Sequence, residues 1–335
     1  MKIGSTDITN PRIGATPISK VFIGLDKVYP NVVDEFIFTI DTSLGDGLAE
    51  FDFNPTHYGT IDYNIKTSDG HDIDVTTNTN TNIVFSVGGV YTVIVLVISG
   101  INNYAFTSSV DKLKLTNVLN WGTYAGLLNL TNCFKALYVG IDASDIPNLS
   151  NCTRMDFCFS GNGSTPTVTF NPLVDFALWN FSALTLLYGT FQASVGGVKN
   201  IALANFGVSI DMSWSFWLSP SFNEDFTGTT MIATDLWRTW RNCSSFEGDG
   251  IKDIDITLCS NMSQSFQGSG LTDSNYREAL IKWTGWTSGA PTKTLRSSVP
   301  AHFGVAKYEI GGESEDVRNY LTGTLGWTIT DGGGI

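Results

Sequence analysis

The stretch Leu258-Cys259-Ser260-Asn261-Met262-Ser263-Gln264-Ser265-Phe266 sets a large apolar residue four positions before an aromatic and fills the gap with small polar residues. The same pairing stands upstream at Leu130/Phe134, Met155/Phe159, Leu187/Phe191, Met212/Phe216 and Leu236/Trp240. Successive aromatics are 25, 32, 25, 24 and 26 residues apart. The pair alone is weak, since Leu218/Phe222 matches it off-register, so the regular spacing is what marks a repeat. Strand-like runs lie between the pairs: Leu113 with Leu115, Val168 with Phe170, Ile201 with Leu203, and Ile254 with Ile256. A period of this length, with one strand and one tight turn per unit, predicts a solenoid over residues 102–270. Residues four apart share one face of a helical turn, so each unit is expected to drop two large side chains into a common core. The long interval is assigned to an inserted loop at Asn162-Gly163-Ser164-Thr165-Pro166.

Upstream, residues 32–101 alternate with period two: Phe36, Phe38, Ile40; Phe51, Phe53; Ile61, Tyr63, Ile65; Ile83, Phe85, Val87; and Tyr91, Val93, Val95, Val97. Turn residues at Gly45-Asp46-Gly47, Asn54-Pro55, Asp69-Gly70 and Gly88-Gly89 separate the runs, which predicts an antiparallel β-sandwich. Residues 1–31 read as short strands around Ile3-Gly4, Ile13-Gly14 and Ile23-Gly24, ending Val28-Tyr29-Pro30. That segment is too small for a core of its own and suits docking onto another chain. Residues 271–335 are expected to form a small α/β cap. Ser274 is positioned to cap a helix carrying Tyr276, Leu280 and Trp283, with Glu278 and Lys282 one turn apart. Ser314 is positioned to cap a second, with Val317, Tyr320 and Leu321 on its buried face. The fold class is therefore mainly β.

Composition narrows the function. Charged residues are 15% of the chain against a typical ~25%, and 42% are hydrophobic, which excludes disorder. A formal net charge of -13, with no basic stripe, disfavours nucleic acid and anionic membranes. The longest apolar run, Val90 to Ser99, is about half of a spanning helix, so no membrane insertion is expected. Residues 1–14 lack the apolar stretch of a secretory signal. Five cysteines without a C-x-x-C pair argue against a disulfide framework or a zinc site and read as buried apolar residues.

Four resemblances add to these readings. Ser68-Asp69-Gly70 followed by Gly89-Val90-Tyr91-Thr92-Val93 resembles the PKD-type immunoglobulin-like module, although the Trp and first Gly that usually precede the Asp-Gly are absent. The repeat, best matched at Leu258 to Phe266 and at Asn151-Cys152-Thr153-Arg154-Met155-Asp156-Phe157-Cys158-Phe159, resembles the BspA-like leucine-rich surface proteins. The closing Gly326-Trp327-Thr328-Ile329-Thr330-Asp331-Gly332-Gly333 is similar to the terminus of such proteins in bacteriophages and bacteria. The N-terminal Ile-Gly turns are similar to virion-anchoring segments of phage tail proteins. The order of segments thus resembles a phage tail-fibre or receptor-binding protein, assembled in the host cytoplasm and carried on the virion tail. The resemblance implies a homotrimer that docks on other tail or baseplate proteins through residues 1–31 and attaches to a host surface glycan or protein. A bacterial surface adhesin and a glycan depolymerase are the alternatives.

No catalytic motif stands out. The three histidines, His57, His71 and His302, belong to no hydrolase signature, and the chain has no Walker A or dinucleotide fingerprint. The acidic pairs Glu50/Asp52, Glu224/Asp225 and Asp253/Asp255 are ordinary in a chain with 32 acids. Asp69, Asp72 and Asp74, or Asp249, Asp253 and Asp255, match no calcium loop. The expectation is therefore a protein without enzymatic activity, cofactor or metal. Six tryptophans, Trp214, Trp217, Trp237, Trp240, Trp283 and Trp286, lie near repeat positions. Trp240 replaces a core Phe. Trp217 and Trp237 are off-register and free to face outward, which makes them the candidate receptor-binding residues, since exposed indoles beside polar groups hold sugar rings.

Overall fold

The computed structural model describes residues 35–104, 111–135, 137, 139–161, 168–194 and 197–335, together with the backbone of six two-residue strands nearer the N-terminus. Those strands form three antiparallel pairs: β1 (Lys2–Ile3) with β2 (Thr6–Asp7), β3 (Arg12–Ile13) with β4 (Thr16–Pro17), and β5 (Phe22–Ile23) with β6 (Asp26–Lys27). They recur every ten residues, in step with the three Ile-Gly dipeptides. The turns joining them, Val28-Tyr29-Pro30 and the loop Asn162–Pro166 lie outside the described residues.

The chain is mainly β, with two α-helices among the described residues. The period-two runs form β7 (Glu35–Asp41), β8 (Glu50–Phe53), β9 (Thr56–Thr67), β11 (Thr81–Val84) and β12 (Val90–Asn103), joined by β10 (Asp72–Val75), which the sequence pattern passes over. Alternate residues of β7 are buried, as the pleat requires. The predicted alternation stops at Phe85, and Val87 is exposed in the following turn. One mixed sheet has the order β10-β9-β12-β7-β13-β14-β15, where β13 is Leu115–Asn120, β14 Val139–Ile141 and β15 Val168–Phe170. Pairing is antiparallel as far as β13 and parallel beyond it. The β8/β11 ladder packs over this sheet through Phe51 and Phe53, whose rings lie 5.8 and 6.0 Å from Phe38. Beside them the fully buried Lys114 ammonium lies 2.6 Å from Asp111 Oδ1, 2.8 Å from Asp46 Oδ1 and 2.9 Å from the Glu50 carbonyl.

The six apolar–aromatic pairs form six stacked turns. In the turn ending at Phe216, the N–H groups of Met212, Trp214 and Phe216 donate to the carbonyls of Asp235, Trp237 and Thr239 in the next turn (3.0, 2.8 and 3.0 Å). The intervening Ser215 N–H bonds three residues back, to Met212. The expected helical turn is not what brings residues four apart together. Two residues before each aromatic the backbone is left-handed, at Asn132, Phe157, Gly189, Trp214, Arg238 and Gln264. That reversal lets every second residue join the inter-turn ladder, and both large side chains land inside. The rings then stack from turn to turn: Phe134 on Phe159 (5.7 Å), Phe159 on Phe191 (5.7 Å), Phe191 on Phe216 (5.8 Å), and Trp240 on Phe266 (4.9 Å). The residue just before each aromatic is a buried hydroxyl or thiol. Thr190, Ser215, Thr239 and Ser265 donate to the carbonyls of Met155, Leu187, Met212 and Leu236 one turn earlier (2.7, 2.7, 3.1 and 2.6 Å). β16 (Ile210–Asp211) and β17 (Ala233–Asp235) add a parallel pair beside the turns. The strand-like run Ile201–Leu203 is a 3-10 turn instead, with Ile201 and Ala202 inward and Leu203 exposed. Leu113 likewise sits in a 3-10 turn and is exposed.

Both ends of the stack are covered. Asn102 O accepts from Leu128 N–H and Asn129 N–H, and Asn103 Nδ2 donates to Thr131 O, closing the first turn with the end of β12. At the other end β18 (Pro300–His302) accepts from Met262 N–H and Phe266 N–H, and Phe303 extends the ring stack (5.7 Å from Phe266). Around β18 lie α1 (Asp273–Thr284), α2 (Glu313–Gly323) and β19 (Thr328–Thr330), which pairs parallel with β18. The helix starts differ from expectation. Thr272, not Ser274, caps α1 by accepting Asn275 N–H, and Glu278 pairs with Lys252 rather than Lys282. Gly312 precedes α2, and the buried Ser314 accepts Glu309 N–H. The apolar core runs unbroken from Phe36 to Trp327.

Candidate functional site

The stacked turns set equivalent residues in columns about 4.8 Å apart, the spacing of a hydrogen-bonded ladder. Three columns flank the buried aromatic: three residues before it (Asp156, Tyr188, Ser213, Trp237), two before it (Phe157, Gly189, Trp214, Arg238, Gln264) and one after it (Gln192, Trp217, Arg241, Gln267). These neighbours build one face. Lys135 Nζ lies 4.3 Å above the Phe157 ring, Phe157 meets Tyr188 edge-on (5.1 Å), and Tyr188 stacks on Trp214 (5.9 Å). Trp214 meets Trp217 at 4.5 Å and Trp237 at 5.3 Å. Gly189 is required here, because a Cβ would lie 2.5 Å from the Phe157 ring, on a backbone at φ +60°.

At the centre of the three indoles sits Arg238. Its guanidinium carbon is 5.0, 5.9 and 4.8 Å from the rings of Trp214, Trp217 and Trp237, a cation held over aromatic faces. Arg238 Nε and Arg241 Nη1 both donate to Gln264 Oε1 (2.8 and 2.9 Å). Burial, and then the Arg238 charge, lower the pKa of Arg241. His302 is lowered as well, first by burial and then by Arg241. Burial raises the Asp235 carboxyl, against the hydrogen bonds it accepts from Trp237 N–H and Ser213 Oγ. Beside Tyr188 a pocket of about 490 Å³ is lined by Lys135, Arg154, Asp156, Phe157 and Asp211.

Several polar atoms on this face are buried without a hydrogen-bond partner: Asp156 Oδ1, Gln192 Oε1, Trp214 Nε1, Trp217 Nε1, Arg241 Nε and Gln267 Oε1. Four of them, Gln192, Trp217, Arg241 and Gln267, occupy the same column on consecutive turns. Buried polar groups are normally paired, so this run of orphans makes the face a candidate site.

Of the predicted site residues, Trp217 and Trp237 are both half-buried on this face and share Arg238. Trp240 is fully buried. Trp283 donates to Ile251 O inside the cap and Trp286 packs against Tyr320, so neither belongs to the face. Sequence reasoning missed Tyr188, Arg238 and Arg241, which the repeat register reveals once columns rather than pairs are read. The acidic pairs do other work. Glu224 accepts Asn200 N–H, Asp225 accepts Thr227 N–H, Asp253 accepts Gly228 N–H and Asp255 accepts Thr257 N–H. Burial, and then the Asp111 charge, raise the Asp52 carboxyl. Asp72 and Asp74 both accept from Asn64, and Asp69 accepts from Thr67. Among the described residues no cluster of three His, Cys, Asp or Glu is arranged to hold a metal, and no helix is long and apolar enough to cross a membrane. No family model, curated protein or solved structure matches the chain.

Proposed function

We propose that this chain is an attachment protein, a phage tail-fibre or receptor-binding adhesin, and that the aromatic–arginine face is its receptor surface. In this reading residues 1–31 dock on other tail or baseplate proteins, 32–101 form an immunoglobulin-like spacer, 102–270 a leucine-rich-repeat-like solenoid and 271–335 its cap. The protein binds rather than catalyses, acts as a homotrimer and resides on the virion tail. The observation that carries the reading is the row of half-buried rings beside unpartnered polar atoms, the combination that grips a sugar ring by stacking and by hydrogen bonds. Four of the six carboxylates considered for glycan cleavage, Glu224, Asp225, Asp253 and Asp255, instead hold backbone N–H groups, which favours binding over depolymerisation. The virion assignment rests on the likeness of the Ile-Gly segment to phage tail proteins, together with the likeness of the repeat to BspA-like surface proteins and of the closing stretch to the terminus of those encoded by phages and bacteria.

The test is binding of purified chain to intact bacterial cells. Trp217→Ala with Trp237→Ala should abolish retention while leaving the unfolding midpoint close to that of the parent. Unchanged retention by the double variant refutes the assignment of this face. Light scattering on the same sample checks the trimer against the 36.4 kDa of one chain.

A further inference from the structure

The strongest unexplained feature of the face is its charge. The chain carries 32 acids and only 19 lysines and arginines. Lys66, Lys114, Arg154, Lys252 and Arg318 have carboxylate partners, while other cations, including Lys135 on this face, have none among the described residues, so what sets the next pair apart is a shared acceptor. Arg238 and Arg241, side by side on neighbouring columns, have none among the described residues, and Gln264 Oε1 is the acceptor they share. The nearby acids are engaged elsewhere: Asp211 with Ser213 N–H, Asp235 with Trp237 N–H and Ser213 Oγ. A guanidinium has five N–H donors in a fixed plane. Arg238 uses Nε and Arg241 uses Nη1, while Arg241 Nε is buried and unpartnered. Burial first, and then the neighbouring Arg238 charge, disfavour the Arg241 cation. That cost is offset when an anion binds both. The indoles around Arg238 fix the fork before any ligand arrives, which reduces the ordering penalty.

We propose that Arg238 and Arg241 are the anion-reading centre of this face, and that its ligand is a glycan bearing carboxylate or phosphate groups. The inference rests on the attachment reading above and adds the chemical class of the receptor. A glycan is favoured over an acidic peptide by two observations. The turns spend their N–H and C=O groups on one another, so no open strand edge is offered to a peptide. The orphan atoms beside the arginines are a mixture of donors and acceptors, Trp217 Nε1 with Gln192 Oε1 and Gln267 Oε1, which suits hydroxyls that both give and accept. Gln192 is itself only 8% exposed, and its Oε1 has no partner.

The experiment is an array of immobilised oligosaccharides, uronate-containing, phosphorylated and neutral, probed with the full chain and with Arg238→Gln, Arg241→Gln and Arg238→Lys. Binding is expected on anionic glycans only, and the uronate and phosphate arms decide which anion is read. Each Gln variant should weaken it by about tenfold or more, the scale of a charged hydrogen bond. Arg238→Lys should keep part of the affinity, because charge survives while the planar fork does not. Raising ionic strength should weaken the parent in the same way without any substitution, so the outcome does not depend on a variant folding. Equal binding to neutral glycans, or affinity indifferent to salt and to both Gln variants, overturns the anion inference and leaves attachment standing. Binding to acidic peptides or intact cells but to no glycan also overturns it. Failure to bind glycans and cells alike overturns both.

Discussion

Replacing Phe191 by Ala tests whether the stacked turns are held by their ring column. The ring is fully buried, parallel to Phe159 and Phe216 at 5.7 and 5.8 Å, and edge-on to Phe176 at 5.2 Å. Truncating a buried Phe to Ala destabilises by about 3–5 kcal/mol, the upper end applying where neighbours cannot close the cavity. Collapse is obstructed here, because the Phe191 and Phe216 N–H groups bond forward to the next turn and the carbonyls of the preceding residues, Thr190 and Ser215, accept from the turn before. We therefore expect roughly 4–5 kcal/mol, a large share of the total for a domain. Urea unfolding followed by tryptophan fluorescence should show an earlier midpoint at constant slope. Phe191→Leu should lose only part of this, and Leu178→Ala, at 61% exposure, should change stability by less than about 0.5 kcal/mol. A Phe191→Ala/Phe216→Ala cycle should return a coupling of about 0.5–1.5 kcal/mol for the stacked pair. A loss below about 1.5 kcal/mol for Phe191→Ala, or no coupling with Phe216, would refute the argument from stacking.

Three further outcomes follow from the same geometry. Lys114→Met should destabilise by about 3–5 kcal/mol in urea unfolding by leaving the buried Asp111 without its cation, and Asp111→Leu in the same chain should restore part of it. Burial alone would raise the Asp331 carboxyl, but hydrogen bonds from Arg318 and Tyr276 outweigh it and hold it below the ordinary range. Its contribution is therefore present above the unfolded carboxylate value of about 3.9 and is lost as pH falls through the lower folded value, a slope that Asp331→Asn should flatten in acid unfolding curves. The thiols of Cys152, Cys243 and Cys259, pushed up to about 12 by burial, should resist an aromatic disulfide reagent in the folded protein and react once urea unfolds it.

The buried positions of the repeat were legible because period and residue size coincide: Met155, Phe159, Met212, Phe216, Trp240 and Phe266 are all inside. The turn geometry was not. Its left-handed position is filled by Asn, Phe, Gly, Trp, Arg and Gln in successive units, and only Asn and Gly carry that preference. Inter-turn hydrogen bonds impose the conformation on the rest. The site was half legible for a related reason. Trp217 and Trp237 stood out as large residues off the core register, whereas Arg238 and Arg241 read as ordinary surface cations until adjacent turns set them on one acceptor. Ser274 failed as a cap because Thr272, just before the first helix, accepts Asn275 N–H, and Ser314 because it lies within the second helix, where its hydroxyl accepts Glu309 N–H.

Each turn of the ladder hands its carbonyls back and its N–H groups forward, and it touches only the turns on either side. Both closures grip a single turn, one through Asn102 and the other through Pro300 and His302. Such a stack is indifferent to how many turns lie between its closures. A gene encoding it could gain or lose one unit of about 25 residues by duplication or deletion, lengthening or shortening the outward row without redesigning either closure. Length and surface chemistry would then evolve separately: unit number sets how far the row extends, and the residues in its columns set which groups it presents.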